Sequence, residues 1–177
     1  MSTATIEAPQ LSLPELAQLD RTRFVETFGG VFEHSPWVAE AAWASRPFAS
    51  VDALHAAMIG AVLAAPIAQQ LAFLNLHPEL AGKEAEAGTM TDHSTAEQAG
   101  LSALETSEVE ALRQLNAQYA ARHGFPFVIA VLANTKSQIF EALRRRIAAP
   151  TDSEHKAALA QIGIITRLRL GRLFATA

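Results

Sequence analysis

Apolar residues recur along most of this chain at spacings of three and four, the pattern of helices that bury one face. Short polar residues precede these runs as helix starts, and glycine or proline follows as a stop. The predicted starts are Ser12 with Glu15, Asp20, Ser35 before Pro36, Ser50, Thr135 and Ser153; the predicted stops are Gly29-Gly30, Pro47, Gly124 and Pro150. The pattern predicts an all-α fold, a single compact domain of about eight helices.

Two segments depart from the helical pattern. From Leu80 to His93 the periodicity disappears, which predicts a long irregular loop before Ser94, of a length that is usually functional inside a compact domain. The run FPFVIAVLA, which begins at Phe125, is rich in β-branched and aromatic residues but has no partner strand. It predicts either a buried extended segment or the start of a helix.

Length and composition narrow the class of protein. A chain of 177 residues fits one domain, which we place at residues 12–177 after an N-terminal tail of residues 1–11. The apolar run from Ala56 to Ala68 is too short to span a bilayer, and no basic residue precedes the first apolar run as in a signal peptide. The chain has no cysteine and a net charge of -4. These features predict a cytoplasmic protein with no membrane partner and no nucleic-acid partner.

The last predicted helix places an arginine on its buried face. Helical geometry puts Arg169 in the middle of an apolar stripe and turns Arg167 and Arg172 toward the rim or solvent. The stripe consists of Leu159, Ile162, Ile165 and Leu173. A buried guanidinium is costly without an anionic partner. Arg169 is therefore either paired with a buried carboxylate of another helix or a clamp for a carboxylate or another polar ligand.

His77 lies where an apolar helix is expected to end, just before Pro78. An imidazole at such a break suits general acid or base chemistry, although a histidine that caps the helix end explains the same position. The other histidines have no metal-ligand spacing, and His123 before Gly124 resembles a helix cap; they are His34, His55, His93, His123 and His155.

A third candidate is the run Ser94-Thr95-Ala96-Glu97-Gln98. Serine followed by glutamate three residues later is the pattern of a capping box, which explains both residues structurally. A serine hydroxyl, backbone N–H groups and a carboxylate would equally form a polar cradle at the positive end of a helix. The spacing does not separate the two interpretations.

Taken together, these stretches resemble one enzyme family, the 2-oxo-4-hydroxy-4-carboxy-5-ureidoimidazoline (OHCU) decarboxylases. The resemblance spans nearly the whole chain, in order. The matching stretches are FGGVFEHSPWVAEAAW from Phe28, LNLHPELAG from Leu74, STAEQAGL from Ser94, HGFPFVIAV from His123 and IITRLRLGRL from Ile164.

The resemblance implies a carboxy-lyase that converts OHCU to (S)-allantoin and carbon dioxide with no cofactor and no metal. It implies that His77, Glu97 and Arg169 are catalytic. It further implies a homodimer and a small-molecule substrate. The implied substrate-binding residues are Pro78, Ser94, Gln98, Phe125, Phe127 and Val128.

Two other functions fit parts of the sequence. A metal-dependent helical hydrolase is suggested by the six histidines and the Asp92-His93 pair, but the further spaced ligands of that class are missing. A non-catalytic helical interaction module is the other alternative, with Arg169 and Glu97 as a structural pair.

Overall fold

The computed structural model describes residues 10–101 and 104–174, and within these ranges it is all-α, as predicted. The described part contains ten α-helices rather than about eight. They are α1 (Leu13–Gln18), α2 (Arg21–Phe28), α3 (Pro36–Ala42), α4 (Val51–Ala64), α5 (Ile67–Leu74), α6 (Lys83–Ala87), α7 (Asp92–Gln98), α8 (Thr106–His123), α9 (Lys136–Ile147) and α10 (Thr151–Leu173). Residues 1–9 of the predicted tail lie outside the described residues, and Leu11 forms an isolated parallel bridge with Phe174.

Most predicted helix starts are confirmed by side-chain caps. Ser12 and Glu15 form a reciprocal capping box, and the side chains of Asp20 and Ser50 each accept a backbone N–H of the first helical turn. Ser35 precedes α3 but does not cap it, because its hydroxyl donates instead to the carbonyl of Glu33 at 2.9 Å.

The prediction of an irregular loop from Leu80 to His93 is wrong in part. This segment contains α6 and the first two residues of α7. Gly88, with φ of 65°, ends α6 in the left-handed conformation, and Thr91 caps α7. The two helices have only 5 and 7 residues, so they carry too few apolar residues to show helical periodicity.

The described residues fall into two compact units, and α10 contributes to both. The first unit comprises the chain up to Ala65 together with the residues from Thr166 onward. Its core is aromatic: the rings of Phe24 and Phe28 lie 4.9 Å apart, and Phe28 stacks on Phe174 at 6.0 Å.

The second unit, Pro66–Ile165, contains α5 to α9 and the first part of α10. The buried face of α8 consists of Leu112, Asn116, Tyr119 and His123. Gly124 ends the helix with φ of 80°, as predicted.

No single helix in the described ranges is both long enough and apolar enough to cross a membrane. The consecutive helices α4 and α5 are long and apolar enough only as a pair, and the chain bends by 114° between them.

Candidate active site

His77 is held against the carboxyl end of α5. The Asn75 side chain donates to the carbonyls of Leu71 at 2.9 Å and Gly124 at 3.3 Å, and the backbone N–H of His77 donates to Leu74 at 3.1 Å. The imidazole Nδ1 lies 3.1 Å from the carbonyl oxygen of Phe73. These contacts stack residues 75–77 onto the helix end and fix the position of the histidine ring.

The contact with Phe73 also selects the tautomer of His77. A carbonyl oxygen only accepts hydrogen bonds, so Nδ1 must carry the proton in this arrangement. Nε2 is then the nitrogen with the lone pair in the neutral ring. The helix-capping contact is present and is made by Nδ1. The two interpretations of His77 are therefore compatible.

A cleft of about 290 Å³ opens at the His77 ring. The cleft is lined by Asn75, His77, Glu79, Glu84, Ala120, Gly124, Phe125 and Pro126. It brings together two of the residues singled out from the sequence, His77 and Phe125. Its walls combine an imidazole, an amide and two carboxylates with the Phe-Pro pair.

The turn that follows His77 is held by amide side chains. Gln98 Oε1 accepts from the N–H of Ala81 at 3.0 Å, and Gln98 Nε2 donates to the carbonyl of Glu79 at 3.4 Å. The buried Asn116 donates to the carbonyl of Leu80 at 2.9 Å. Gln98 thus stabilises the His-Pro-Glu-Leu-Ala-Gly string. No local pattern indicates this role of Asn116, because it lies 36 residues from Leu80.

Backbone geometry restricts which residues fit at two positions of the His-Pro-Glu-Leu-Ala-Gly string, Ala81 and Gly82. Ala81 has φ of 48°, a left-handed conformation that non-glycine residues rarely adopt. A Cβ on Gly82 would lie 2.8 Å from the Cβ of Glu79, so only glycine fits the close approach. The string forms a tight turn whose shape depends on these two positions.

Ser94 and Glu97 lie on α7, and the capping-box interpretation of these two residues is wrong. The cap lies three residues before Ser94, at Thr91, whose hydroxyl accepts from the Ser94 N–H at 3.3 Å. Ser94 is the third residue of the helix and its side chain is buried, whereas Glu97 is half-buried in the last turn. The structural explanation of Ser94 as a cap is thereby removed.

Of the two alternatives for the run that begins at Phe125, the structure contradicts the start of an α-helix. Residues 125–131 are all buried, residues 126–130 form neither helix nor strand, and Ala130 has extended backbone angles just before a short 3₁₀ turn, Val131–Ala133. Side chains supply the hydrogen bonds that a neighbouring strand would normally give. Arg146 donates to the carbonyl of Val128 at 2.9 Å, and Gln161 accepts from the N–H of Ala130 at 3.0 Å.

A buried polar cluster supports this segment. Arg146 Nε pairs with Glu154 at 2.7 Å, and the Tyr119 hydroxyl donates to the same carboxylate at 2.9 Å. Burial, together with the hydrogen bond to Glu154, raises the pKa of Tyr119 well above its ordinary value. His123, predicted as a cap, contacts the end of α9 rather than its own helix end: its Nε2 lies 3.1 Å from the carbonyl of Arg146.

Arg169 is buried, as its place in the apolar stripe predicted. Its Nη1 donates to a Glu33 carboxylate oxygen at 2.9 Å and to the carbonyl of Val31 at 3.1 Å. Glu33 is only 1% exposed, so both charges of the pair are withdrawn from solvent. Arg169 therefore has a buried carboxylate partner, although Glu33 lies in the turn before α3 and not on another helix. No local pattern identifies Glu33 as the partner, because it lies 136 residues from Arg169.

The metal-dependent alternative has no ligand set in the part of the chain that the structure describes, where no group of three or more His, Asp or Glu side chains could hold an ion.

Comparison with known proteins agrees with the resemblance. The sequence pattern of the OHCU decarboxylase family matches residues 17–171. A 2-oxo-4-hydroxy-4-carboxy-5-ureidoimidazoline decarboxylase of Haloferax volcanii is 43% identical over 169 residues, covering 94% of this chain and 98% of its own. The uric acid degradation bifunctional protein PucL of Bacillus subtilis is 42% identical over 161 residues, covering 90% of this chain and 32% of its own.

Two solved structures share the fold. The crystal structure of (S)-allantoin synthase matches with a TM-score of 0.74 and 28% identity, over 94% of this chain and 55% of that one. An OHCU decarboxylase crystallised in the presence of (S)-allantoin matches with a TM-score of 0.63 over 79% of this chain and 92% of that one; at 20% identity it supports the fold alone. Because the family pattern and the archaeal relative both extend over most of its length, this chain belongs to the OHCU decarboxylase family.

Proposed function

We propose that this chain decarboxylates OHCU to (S)-allantoin and carbon dioxide in uric acid degradation, with neither a metal nor an organic cofactor. Family membership supports the reaction. The observation that carries the assignment is His77, anchored through Nδ1 beside a small polar and apolar cleft.

The substrate itself provides the electron sink. Loss of carbon dioxide leaves an electron pair on the carbon that bore the carboxylate, and the neighbouring oxo and ring imine groups of OHCU delocalise that pair. The pair forms a double bond to the neighbouring ureido-bearing carbon, and allantoin results when the 4-hydroxyl loses its proton to become a carbonyl while the ureido-bearing carbon gains one. The protein must hold the departing carboxylate in place and deliver this proton to one face of the ureido-bearing carbon, because that carbon is the stereocentre of the product. Orientation of this kind accounts for a large part of many barriers.

His77 is the proton-transfer residue in this mechanism. With Nδ1 bound to the Phe73 carbonyl, Nε2 is the nitrogen that exchanges the proton, either taking it from the 4-hydroxyl or returning one to carbon. Proton transfer by a positioned side chain typically contributes about 100- to 10,000-fold. The aromatic edge contact with Phe73, at 5.0 Å between ring centres, restricts rotation of the imidazole.

The other predicted residues bind and orient the substrate. Glu97 orients the imidazole or the ureido N–H groups, Ser94 anchors the ring, and Arg169 holds substrate oxygens while Glu33 fixes its guanidinium. Gln98 acts on the turn after His77 as well as on the substrate. The remaining proposed contacts are Pro78, Phe125, Phe127 and Val128, which supply an apolar wall and backbone groups.

We further propose that the enzyme is a cytoplasmic homodimer whose partner is its small-molecule substrate rather than a membrane or a nucleic acid. The excess of acidic over basic residues supports the last point, because a phosphate backbone attracts a basic surface.

A stereochemical assay tests the proposed function. The purified protein is mixed with freshly generated OHCU, and optical activity is followed by circular dichroism with and without a chelator. We expect (S)-allantoin to form faster than in the spontaneous background, which yields racemate, and the chelator to have no effect. An unchanged background rate would instead favour a non-catalytic interaction module, and inhibition by the chelator would contradict metal-free catalysis.

A further inference from the structure

The wall of the His77 cleft is a buried segment that forms neither helix nor strand, in a unit built mainly of helices. Phe125 and Pro126 line the cleft, and the chain continues buried and without regular secondary structure through Ala130, whose backbone angles are extended. Backbone groups in such a segment need hydrogen-bond partners, because an unsatisfied buried N–H or carbonyl costs free energy. With no neighbouring strand in the described residues, side chains must set the position of this wall.

Arg146 holds the middle of the segment. Its Nη1 donates to the carbonyl of Val128 at 2.9 Å, and its guanidinium carbon lies 4.6 Å from the centre of the Phe127 ring. The side chain is 9% exposed, and its Nε is fixed by Glu154 at 2.7 Å. Burying a charged pair gives little net stability, so stability alone is a weak explanation for this arrangement. The guanidinium of Arg146 is planar and rigid, so fixing its Nε on Glu154 also fixes the position of the Val128 carbonyl that its Nη1 contacts.

Gln161 holds the end of the segment. Its Oε1 accepts from the N–H of Ala130 at 3.0 Å, while the side chain of Asn134 donates to the carbonyl of Ala130 at 2.8 Å. Gln161 lies on α10 and Arg146 on α9, so two helices fix the segment at adjacent points. The segment can shift only if one of these hydrogen bonds breaks.

We propose that Arg146 and Gln161 are positioning residues for the decarboxylation. They replace the neighbouring strand of a sheet and hold Phe125–Val128 at the distance from His77 that the substrate requires. Neither residue lines the cleft, so both act through the backbone. The inference rests on the proposed function and adds two residues to it.

A pair of substitutions at Gln161 isolates the hydrogen bond. Gln161→Met keeps the approximate volume and loses the acceptor, whereas Gln161→Glu keeps acceptor oxygens. We expect Gln161→Met to lower kcat at least tenfold, within the roughly 100-fold that a displacement of 1 Å can cost. We expect Gln161→Glu to stay within about threefold of the unaltered enzyme. Gln118→Met, on the exposed face of α8, is the matched control and should leave kcat unchanged.

Exchange of the Ala130 amide separates positioning from a purely structural role. Kinetics are measured well below the unfolding temperature of each variant, so that every sample is folded. Faster exchange of the Ala130 amide in Gln161→Met, together with the loss of kcat, supports the proposal. Faster exchange or a lower unfolding temperature with an unchanged kcat overturns it.

Arg146→Lys gives a second test, because lysine keeps the charge opposite Glu154 and loses the fork that reaches Val128. We expect kcat to fall at least tenfold, with Arg145→Lys on the exposed face of α9 as the control. If Arg146→Lys does not fold, the comparison of Gln161→Met with Gln161→Glu tests the proposal by itself. If the unaltered protein is inactive, the proposed function is overturned. If the unaltered protein is active and Gln161→Met has the same kcat, only the positioning role is overturned.

Discussion

Two opposite charges, Arg169 and Glu33, are buried together in the first unit with 2% and 1% of their side chains exposed. Removing water from both ions is costly, and their mutual attraction offsets that cost only while both are present. The pair is therefore sensitive to the loss of either partner. This sensitivity distinguishes it from the exposed pair of Arg167 and Asp52.

We predict that Arg169→Met lowers the free energy of unfolding by about 3 to 5 kcal/mol, because Glu33 is left buried without its cation. Arg167→Met is the matched control on the same helix and should cost less than about 1 kcal/mol. Urea unfolding followed by circular dichroism measures both values. Equal losses for the two variants would contradict this account of the pair.

Tyr119 gives a pH prediction. It is the single tyrosine of the chain, and its burial and its bond to Glu154 hold its pKa above the ordinary value of about 10. The neutral form is favoured in the folded state, so this contribution to stability is complete below pH 10 and is lost as the pH rises further. Absorbance near 295 nm should show no tyrosinate until the protein unfolds. Ionisation near pH 10 in the folded protein would be inconsistent with this environment.

At the residue scale, the sequence could predict whether a side chain faces the core, but not which residue it contacts there. Helical periodicity alone placed Arg169 inward, because the angle around a helix depends only on local spacing. Its partner Glu33 lies in a different element and leaves no local signal. The same limit applies to Asn116, whose role depends on the position of the turn after His77.

Among the elements, helix starts were predictable wherever a short polar side chain caps the first turn, as at Ser12, Asp20, Ser50 and Thr135. Prediction failed at α6 and α7, which are short and polar and depend on the surrounding unit for their stability. The error left Asp92 and His93 in the predicted loop and allowed Ser94 to be interpreted as a cap, a role that belongs to Thr91.

The tight turn after His77 gives a prediction at this scale. Gly82→Ala would push a Cβ to 2.8 Å from Glu79, so we expect a loss of about 1 to 3 kcal/mol in stability. Activity should fall as well, because Glu79 lines the cleft. Gly60→Ala, in an open position of α4, should instead stabilise the protein by about 0.5 to 1 kcal/mol. Thermal unfolding and kcat together test this; a Gly82→Ala variant with unaltered stability would refute the steric explanation.

At the scale of the whole molecule, the all-α class and the enzyme family were both predictable, since each depends on patterns that recur along the entire chain. The arrangement into two units was not predicted, because helix α10 is continuous in sequence while its residues contribute to both.

The proposed homodimer is tested by sedimentation. We expect the purified chain to sediment at about twice the 19.0 kDa mass of one copy at micromolar concentration. A mass of one copy over the whole concentration range used for the activity assay would contradict this part of the proposal.

The most direct measurement is the rate and chirality of allantoin formation by His77→Asn beside the unaltered enzyme. Asparagine cannot transfer the proton, so the variant should lose at least about 100-fold in kcat and yield allantoin without enantiomeric excess above the background. His34→Asn is the matched control, because His34 is exposed and asparagine tolerates its φ of 45°. It should retain full activity. A folded His77→Asn variant that produces (S)-allantoin at the unaltered rate would contradict the account.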